Sequence, residues 1–338
     1  MASFHPRPGG WQAQIRHRGR PPISRTFKTK ADAQAWANQI ESEVARGVYR
    51  DRSQAERFTL GEILTRYGKE ISPLKKSADA EASRIAFLLR YPIAQTRLSD
   101  LRPSDIAAFR DLRLRTVTGS TVIRDLTLIS HALNIARKEW GIVMENPCNL
   151  IRRPKENKPR KRRLSPREEE RLLAELESSQ RTPDGTWLPG GCRNPWMKPL
   201  VILAIETAMR RGELLQLEWV DVFLDERFMR LHDSKNGHGR DVPLSSRAVA
   251  LLEELPHNPS GRVFPVSGEA LKQSFTRAVE RAELGDLHFH DLRHEATSRI
   301  APKLGNVLEL SAVTGHMSLQ MLKRYFHPMA SELARKLG

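Results

Sequence analysis

Apolar positions along this chain change their spacing in blocks, and each change marks an expected element. Near the start, two short runs alternate apolar and polar residues. Trp11, Ala13 and Ile15 share one face, followed by Ile23, Arg25 and Phe27, with Gly19, Arg20, Pro21 and Pro22 as the turn between them. The period then lengthens. Thr29 and Asp32 form a capping pattern, and Ala33, Trp36, Ala37, Ile40 and Val44 recur with helical spacing. A small sheet leaning on one helix is expected over residues 1–50.

Residues 58–150 read as almost wholly helical. Thr59 and Glu62 form a second capping box, Pro103 suits a first helical turn, and Ile106, Phe109 and Leu112 continue an apolar face. The clearest helix spans 120–140, where Val122, Leu126, Ile129, Leu133, Ala136 and Trp140 alternate steps of four and three, the stripe of a core-facing helix. Residues 152–163 break the pattern with eight basic residues, one acid, and Pro154 and Pro159; such a segment stays extended. From 164 onward Ser165, Pro166 and Glu168 start a helix, 229–231 and 241–244 read as strands around an Asn236-Gly237 hairpin tip, and helices fill the rest.

Composition narrows the partner. The 338 residues carry 56 Lys+Arg against 40 Asp+Glu, a formal charge of +16, which suits a polyanion. No acidic residue precedes Asp32. The central apolar run, 200–205, is far short of the about 20 residues of a spanning helix, so no membrane partner is expected. The first seven residues hold no apolar stretch, so no secretory signal is expected. Cys148 and Cys192 are the only cysteines; no disulfide framework is indicated, and a reducing cytoplasm is the expected setting.

Candidate chemistry lies between residues 210 and 325. Arg210, Lys235, His290, Arg293, His316 and Tyr325 follow one another as basic and imidazole groups closed by a phenol. Singly, each is compatible with packing or solvated surface. Together they meet the needs of phosphodiester cleavage by a tyrosine. Two permanently charged guanidinium groups neutralise the transition state. A phenol with pKa near 10 needs a base or a strongly positive pocket, and His290 or His316 could be that base. Lys235 on a turn could protonate the leaving 5′-oxygen. A rival reading places zinc on His288, His290 and His294 with Cys192 or Cys148. It lacks any paired-cysteine or His-Glu-x-x-His motif and sets Arg293 beside the metal.

These residues resemble the tyrosine recombinase (phage integrase) family. Its motifs run in the same order: a Thr-Gly-x-Arg-x-x-Glu box (here Thr207, Ala208, Met209, Arg210 and Glu213), a hairpin lysine (Lys235), His-x-x-Arg (His290 to Arg293), Gly-His (Gly315, His316) and, nine positions later, Tyr325. Within it the chain looks like shufflon-type DNA invertases and related phage integrases. The resemblance implies that Tyr325 attacks the scissile phosphate to form a 3′-phosphotyrosine, while Arg210, Arg293 and His316 hold the non-bridging oxygens. It further implies that His290 assists proton transfer, Lys235 protonates the 5′-hydroxyl and Glu213 orients Arg210. Ala208 stands where the family commonly has glycine, and a small local change is expected.

The same resemblance implies an α+β multidomain chain. An arm-type DNA-binding domain (1–50) is similar through Gly10, Trp11, Ala13, Ile15, Arg16 and Phe27 to Lys30, with Arg16, Arg18, Arg20, Arg25 and Lys28 offered to DNA. It is followed by an all-helical, SAM-like core-binding domain (56–152) whose Arg110, Arg113, Arg115 and Arg124 face the duplex. A basic linker (153–163) comes next, with Arg160, Lys161, Arg162 and Arg163 on the backbone. Last is a mostly helical catalytic domain with a small antiparallel sheet (164–338). Leu333 and Leu337 in the tail would pack on a neighbouring protomer. The implied partners are double-stranded DNA at specific sites, a homotetramer on paired sites and accessory DNA-bending proteins. The implied setting is the bacterial cytoplasm at the nucleoid, with the gene on a phage or mobile element. No metal or other cofactor is expected. A type IB topoisomerase and a catalytically idle DNA-binding regulator are the alternatives; strand exchange between two sites separates them.

Overall fold

The structure is a computed structural model of the chain. It describes residues 2–16, 22–47, 49, 51, 53–188, 190–232, 239–326, 334, 335 and 337. Arg18, Arg20, Lys235 and Leu333 lie outside the described residues. The chain forms two compact units, Met1–Lys158 and Pro159–Gly338, divided inside the expected basic linker.

The first unit opens with an antiparallel sheet of β1 (Ala2–Arg7), β2 (Gly10–Ile15) and β3 (Ile23–Phe27), in that order. Only β2 and β3 were legible as alternating runs. The extra strand, β1, holds Pro6, which lacks a ladder donor and is tolerated because β1 is an edge strand. Helix α1 (Lys30–Ala45) is capped by Thr29, whose hydroxyl accepts from Asp32 N at 3.1 Å, and it lays Ala33 and Ala37 on Ala13 and Ile15.

The rest of the unit is helical: α2 (Ser53–Arg57), α3 (Leu60–Glu70), α4 (Ala78–Leu88), α5 (Pro103–Leu114) and α6 (Gly119–Lys138). Thr59 and Glu62 form the expected box, with Thr59 N donating to Glu62 at 2.8 Å and Glu62 N donating to Thr59 Oγ1 at 3.2 Å. Val122, Leu126, Ile129, Leu133 and Ala136 of α6 are all buried in a core with Leu60, Ile63, Leu64 and Tyr67 of α3. Each large aliphatic side chain there contributes roughly 1.5–3 kcal/mol relative to exposure.

On α5 the expected face fails at one position. Leu112 is exposed, and Arg113 takes its place in the core beside Ile106 and Phe109. Arg113 therefore does not face a duplex. Its Nε donates to Asp125 at 3.1 Å, its guanidinium covers the Phe87 ring at 4.5 Å, and Arg84 also donates to Asp125. A buried cation survives there because a buried carboxylate matches it.

The second unit contains α7 (Pro166–Glu175), α8 (Met197–Thr207), α9 (Arg211–Gln216), β4 (Val222–Phe223), β5 (Phe228–Leu231), β6 (Arg240–Pro243), α10 (Ser246–Glu253), α11 (Gly268–Arg281), α12 (Phe289–Ile300), α13 (Val307–Thr314) and α14 (Leu319–Leu322). The apolar run 200–205 is explained by α8, which is buried along its length at the centre of the core and packs on α10, α11 and α12. Strands β5 and β6 pair antiparallel, with Met229 opposite Val242 and both buried. The two-residue strand β4, which the sequence pattern did not reveal, extends the sheet and stacks Phe223 on Phe228 at 4.7 Å. Tyr325 is not inside a helix, as its surroundings suggested. It lies in the turn after α14, with its N–H donating to Leu322 O at 2.9 Å. No helix among the described residues is long and apolar enough to cross a membrane.

Asp125→Ala should leave Arg113 buried without its counter-charge and cost about 3–5 kcal/mol of stability. Denaturant unfolding measures this, and Arg113→Met should cost clearly less.

Candidate active site

Four chain segments meet around the end of α8. Helix α8 stops at Ala208, whose backbone is left-handed (φ 53°), and this turn sends Met209 and Arg210 into α9. Arg210 is the N-cap of α9. Its backbone N–H and its Nη1 both donate to Glu213, each at 2.8 Å, and its Nη2 donates to Gly315 O at 3.0 Å. Glu213 thus holds Arg210 by both its backbone and its side chain. The same carboxylate also receives Nη1 and Nη2 of Arg240 from β6, at 3.0 and 2.8 Å. Arg240 Nε reaches Val313 O at 3.2 Å, which ties the sheet to the end of α13.

Gly315 ends α13 with φ 67°, and a Cβ there would meet the Arg240 guanidinium at 2.8 Å. Only glycine suits both the left-handed backbone and that close approach. The turn delivers His316 to the cluster. Arg293, from α12, is buried: Nη1 donates to Ala208 O and Nη2 to Thr314 O at 2.7 Å, so the two helix ends supply carbonyls to a guanidinium without its own carboxylate. Arg293 Nη2 stands 3.4 Å from both nitrogens of His316.

The electrostatics follow from this crowding. Burial, then the neighbouring Arg210, pushes the Arg293 guanidinium down to about 9, so it remains a cation at neutral pH. Burial, then Arg293 and Arg210, lowers His316 to about 3, which leaves it neutral. Thr314 Oγ1 donates to Leu310 O at 2.6 Å, so it accepts from His316 Nδ1 at 2.7 Å and the ring hydrogen sits on Nδ1. Burial alone would raise the Glu213 carboxyl, but Arg240 and Arg210 outweigh it and hold the group at about 2. Tyr325 is half-buried against Leu322 and Leu310. Burial raises its phenol above the ordinary value, with Arg324, Arg293 and Arg163 pulling the other way.

Of the residues singled out by sequence, Arg210, Glu213, Arg293 and His316 form one hydrogen-bonded cluster. Tyr325 adjoins it, its ring 6.4 Å from that of His316. Lys235 lies outside the described residues. The phenol's hydrogen-bond partner is His294 Nδ1, and the His290 ring meets the His294 ring edge-on at 5.0 Å. His294 had figured only as a zinc candidate, and Arg240 had been given no role. The separation of His294 from His290 by one helical turn, and the alternation that sets Arg240 on β6, were the signals available. Among the described residues no three His, Cys, Asp or Glu side chains converge as a metal site. Cys148 and Cys192 are buried in different cores, and burial pushes the Cys148 thiol up to about 12.

The basic strap has intramolecular partners. Arg160 donates to Asp286 and to the buried Asp291, Arg162 to Glu168 at 2.6 Å, and Arg163 to Glu295 at 2.7 Å. Asp291 and Glu295 belong to α12, so the strap pins the helix that carries His290, Arg293 and His294. Lys161 makes no hydrogen bond or ion pair among the described residues. In the first unit Arg25 pairs with Glu56 at 3.1 Å, while Arg16 and Lys28 are exposed.

The second unit is thus mostly helical and gathers guanidinium groups and a histidine at the ends of α8 and α13, with a tyrosine from the turn after α14 beside them. The chain belongs to the phage integrase family, whose sequence pattern matches residues 162–332. The shufflon-specific DNA recombinase of Escherichia coli is 40% identical over 291 residues, covering 83% of this chain and 72% of that protein. The integrase of Salmonella phage P22 is 25% identical over 299 residues, covering 75% and 72%. Among solved structures, lambda integrase, as a dimer bound to a COC' core site, shares the fold with a TM-score of 0.64 at 21% identity, covering 96% of this chain and 94% of that one.

Two outcomes test this geometry. Ala208→Gly relieves the left-handed strain and should raise stability by about 0.5–1 kcal/mol, read as a higher denaturant midpoint at unchanged slope. Stability should also fall as pH is lowered from 6.5 towards 3. The unfolded chain protonates His316 across that window while the folded site does not, a slope of up to about 1.4 kcal/mol per pH unit. Glu213 adds to the loss between 4.5 and about 2, and His316→Asn should flatten the upper part of the profile.

Proposed function

We propose that Tyr325 is the nucleophile with which this site-specific recombinase cuts and rejoins DNA strands. The observation that carries the reading is the cluster of Arg210, Arg293 and His316 adjoining Tyr325, whose ring lies 6.4 Å from that of His316, with Glu213 matching only part of the positive charge. A scissile phosphate supplies the missing negative charge, and its non-bridging oxygens take hydrogen bonds from Arg210 and Arg293. As charge gathers on those oxygens the preorganised donors strengthen, each worth roughly 10²–10³ in rate. His316, whose hydrogen sits on Nδ1, joins them by taking a proton from solvent at Nε2 once the phosphate charge offsets that of Arg293 and Arg210.

The phenol oxygen bonds to phosphorus, the 5′-oxygen leaves and takes a proton from Lys235, and the strand is held as a 3′-phosphotyrosine. The energy of the broken phosphodiester is kept in the new one, so rejoining needs no nucleotide. Residues 1–50 serve as an arm-type DNA-binding domain and 56–152 as the core-binding domain, with Arg16, Lys28 and Lys161 among the phosphate contacts. Four copies on paired sites would exchange strands. Lambda integrase solved as a tetramer on a Holliday junction, which shares this fold, supports that assembly.

The test uses nicked duplexes carrying the recombination site. The protein should form a denaturant-resistant covalent adduct that Tyr325→Phe abolishes; an adduct in that variant would remove Tyr325 from the role. Lys235→Ala should slow cleavage, and a substrate with a better 5′ leaving group should restore it.

A further inference from the structure

A phenol that burial keeps protonated attacks phosphorus only as its proton departs, so the group touching its hydroxyl decides how the attack begins. Here that group is His294, whose Nδ1 is hydrogen-bonded to the Tyr325 oxygen. The two rings lie near parallel, 22° apart with centroids 5.9 Å from each other. The histidines nominated by sequence stand differently. His316 is committed through Nδ1 to Thr314, and Arg293, Arg210 and Arg240 crowd it with positive charge. His290 touches His294 edge-on.

We propose that His294 is the catalytic base for Tyr325, accepting the phenol proton at Nδ1 during strand cleavage and returning it during rejoining. The proposal rests on Tyr325 being the nucleophile. In cleavage the phenol O–H bond breaks and an N–H bond forms on His294, while a P–O bond to Tyr325 forms and the P–O5′ bond breaks. The 5′-oxygen takes its proton from a separate acid, Lys235 in the reading above. In rejoining the 5′-hydroxyl attacks phosphorus, its proton returns to that acid, and the departing tyrosyl oxygen recovers its own from His294.

The surroundings keep His294 ready. It faces His290, Asp291 and Arg293 on its own helix, and Arg324 and Tyr325 from the segment after α14. Burial, then His290, lowers its pKa below the ordinary value against the pull of Asp291, so the imidazole is neutral near pH 7. Acceptance at Nδ1 requires the hydrogen of the neutral ring to sit on Nε2.

The experiment measures the rate of covalent adduct formation on a nicked duplex between about pH 6 and 10 for the wild type, His294→Asn and His294→Ala. Asparagine keeps an amide oxygen near the position of Nδ1, preserving a positioning contact without a proton acceptor. His294→Asn should be slower by about 10²–10⁴-fold at neutral pH. The deficit should shrink as pH approaches the phenol's own pKa, and added imidazole should speed His294→Ala. A near-wild-type rate for His294→Asn at neutral pH would overturn the proposal, as would a deficit constant across pH without imidazole rescue of His294→Ala. If His294→Asn no longer binds the duplex, the imidazole response of His294→Ala decides alone. Tyr325→Phe in the same assay separates the two readings. An adduct there removes the nucleophile, whereas its loss together with a normal His294→Asn removes only the base.

Discussion

Three guanidinium groups, Arg210, Arg240 and Arg293, cluster around one carboxylate, Glu213, which bonds only the first two, and the active site is arranged around that imbalance. Arg210 and Arg240 take both oxygens of Glu213, so Arg293 is left to backbone carbonyls. A desolvated cation is tolerated only with its hydrogen bonds made. The carbonyls of Ala208 and Thr314 are available because α8 and α13 both end in left-handed turns, one at Ala208 and one at Gly315. The helix ends, the sheet that presents Arg240 and the turn that carries His316 are therefore parts of one electrostatic device.

The strap and α12 are its outer layer. Arg160 and Arg163 hold Asp291 and Glu295, and Arg299 joins Glu295 to Glu169 on α7. These bonds fix the helix that carries Arg293 and His294 from its outer side. The basic segment expected to lie on the DNA backbone thus also has a structural task, and Lys161 is the member of 160–163 that makes no hydrogen bond or ion pair among the described residues.

Much of the fold was legible wherever local chemistry decides it. Capping boxes at Thr59 and Ser165 and the stripe from Val122 to Ala136 declare themselves through spacing alone. The motif order brought Arg210, Glu213, Arg293, His316 and Tyr325 into view, and the structure gathers them. What escaped depends on distant partners. Arg113 reads as surface until Asp125 is placed beside it, and Arg240 lies 27 residues from the glutamate it binds. His294 is 31 residues from the hydroxyl it touches. Strand β1 was hidden because an edge strand rich in polar residues, with Pro6, has no clean alternation.

The surplus positive charge should belong to one phosphate. Replacing each backbone phosphate of a recombination-site duplex in turn by a neutral methylphosphonate, and measuring affinity, tests this directly. One position per strand should stand out with a loss of roughly tenfold or more, the scale of charged hydrogen bonds. A uniform, shallow profile along the duplex would contradict a cradle built for the scissile phosphate.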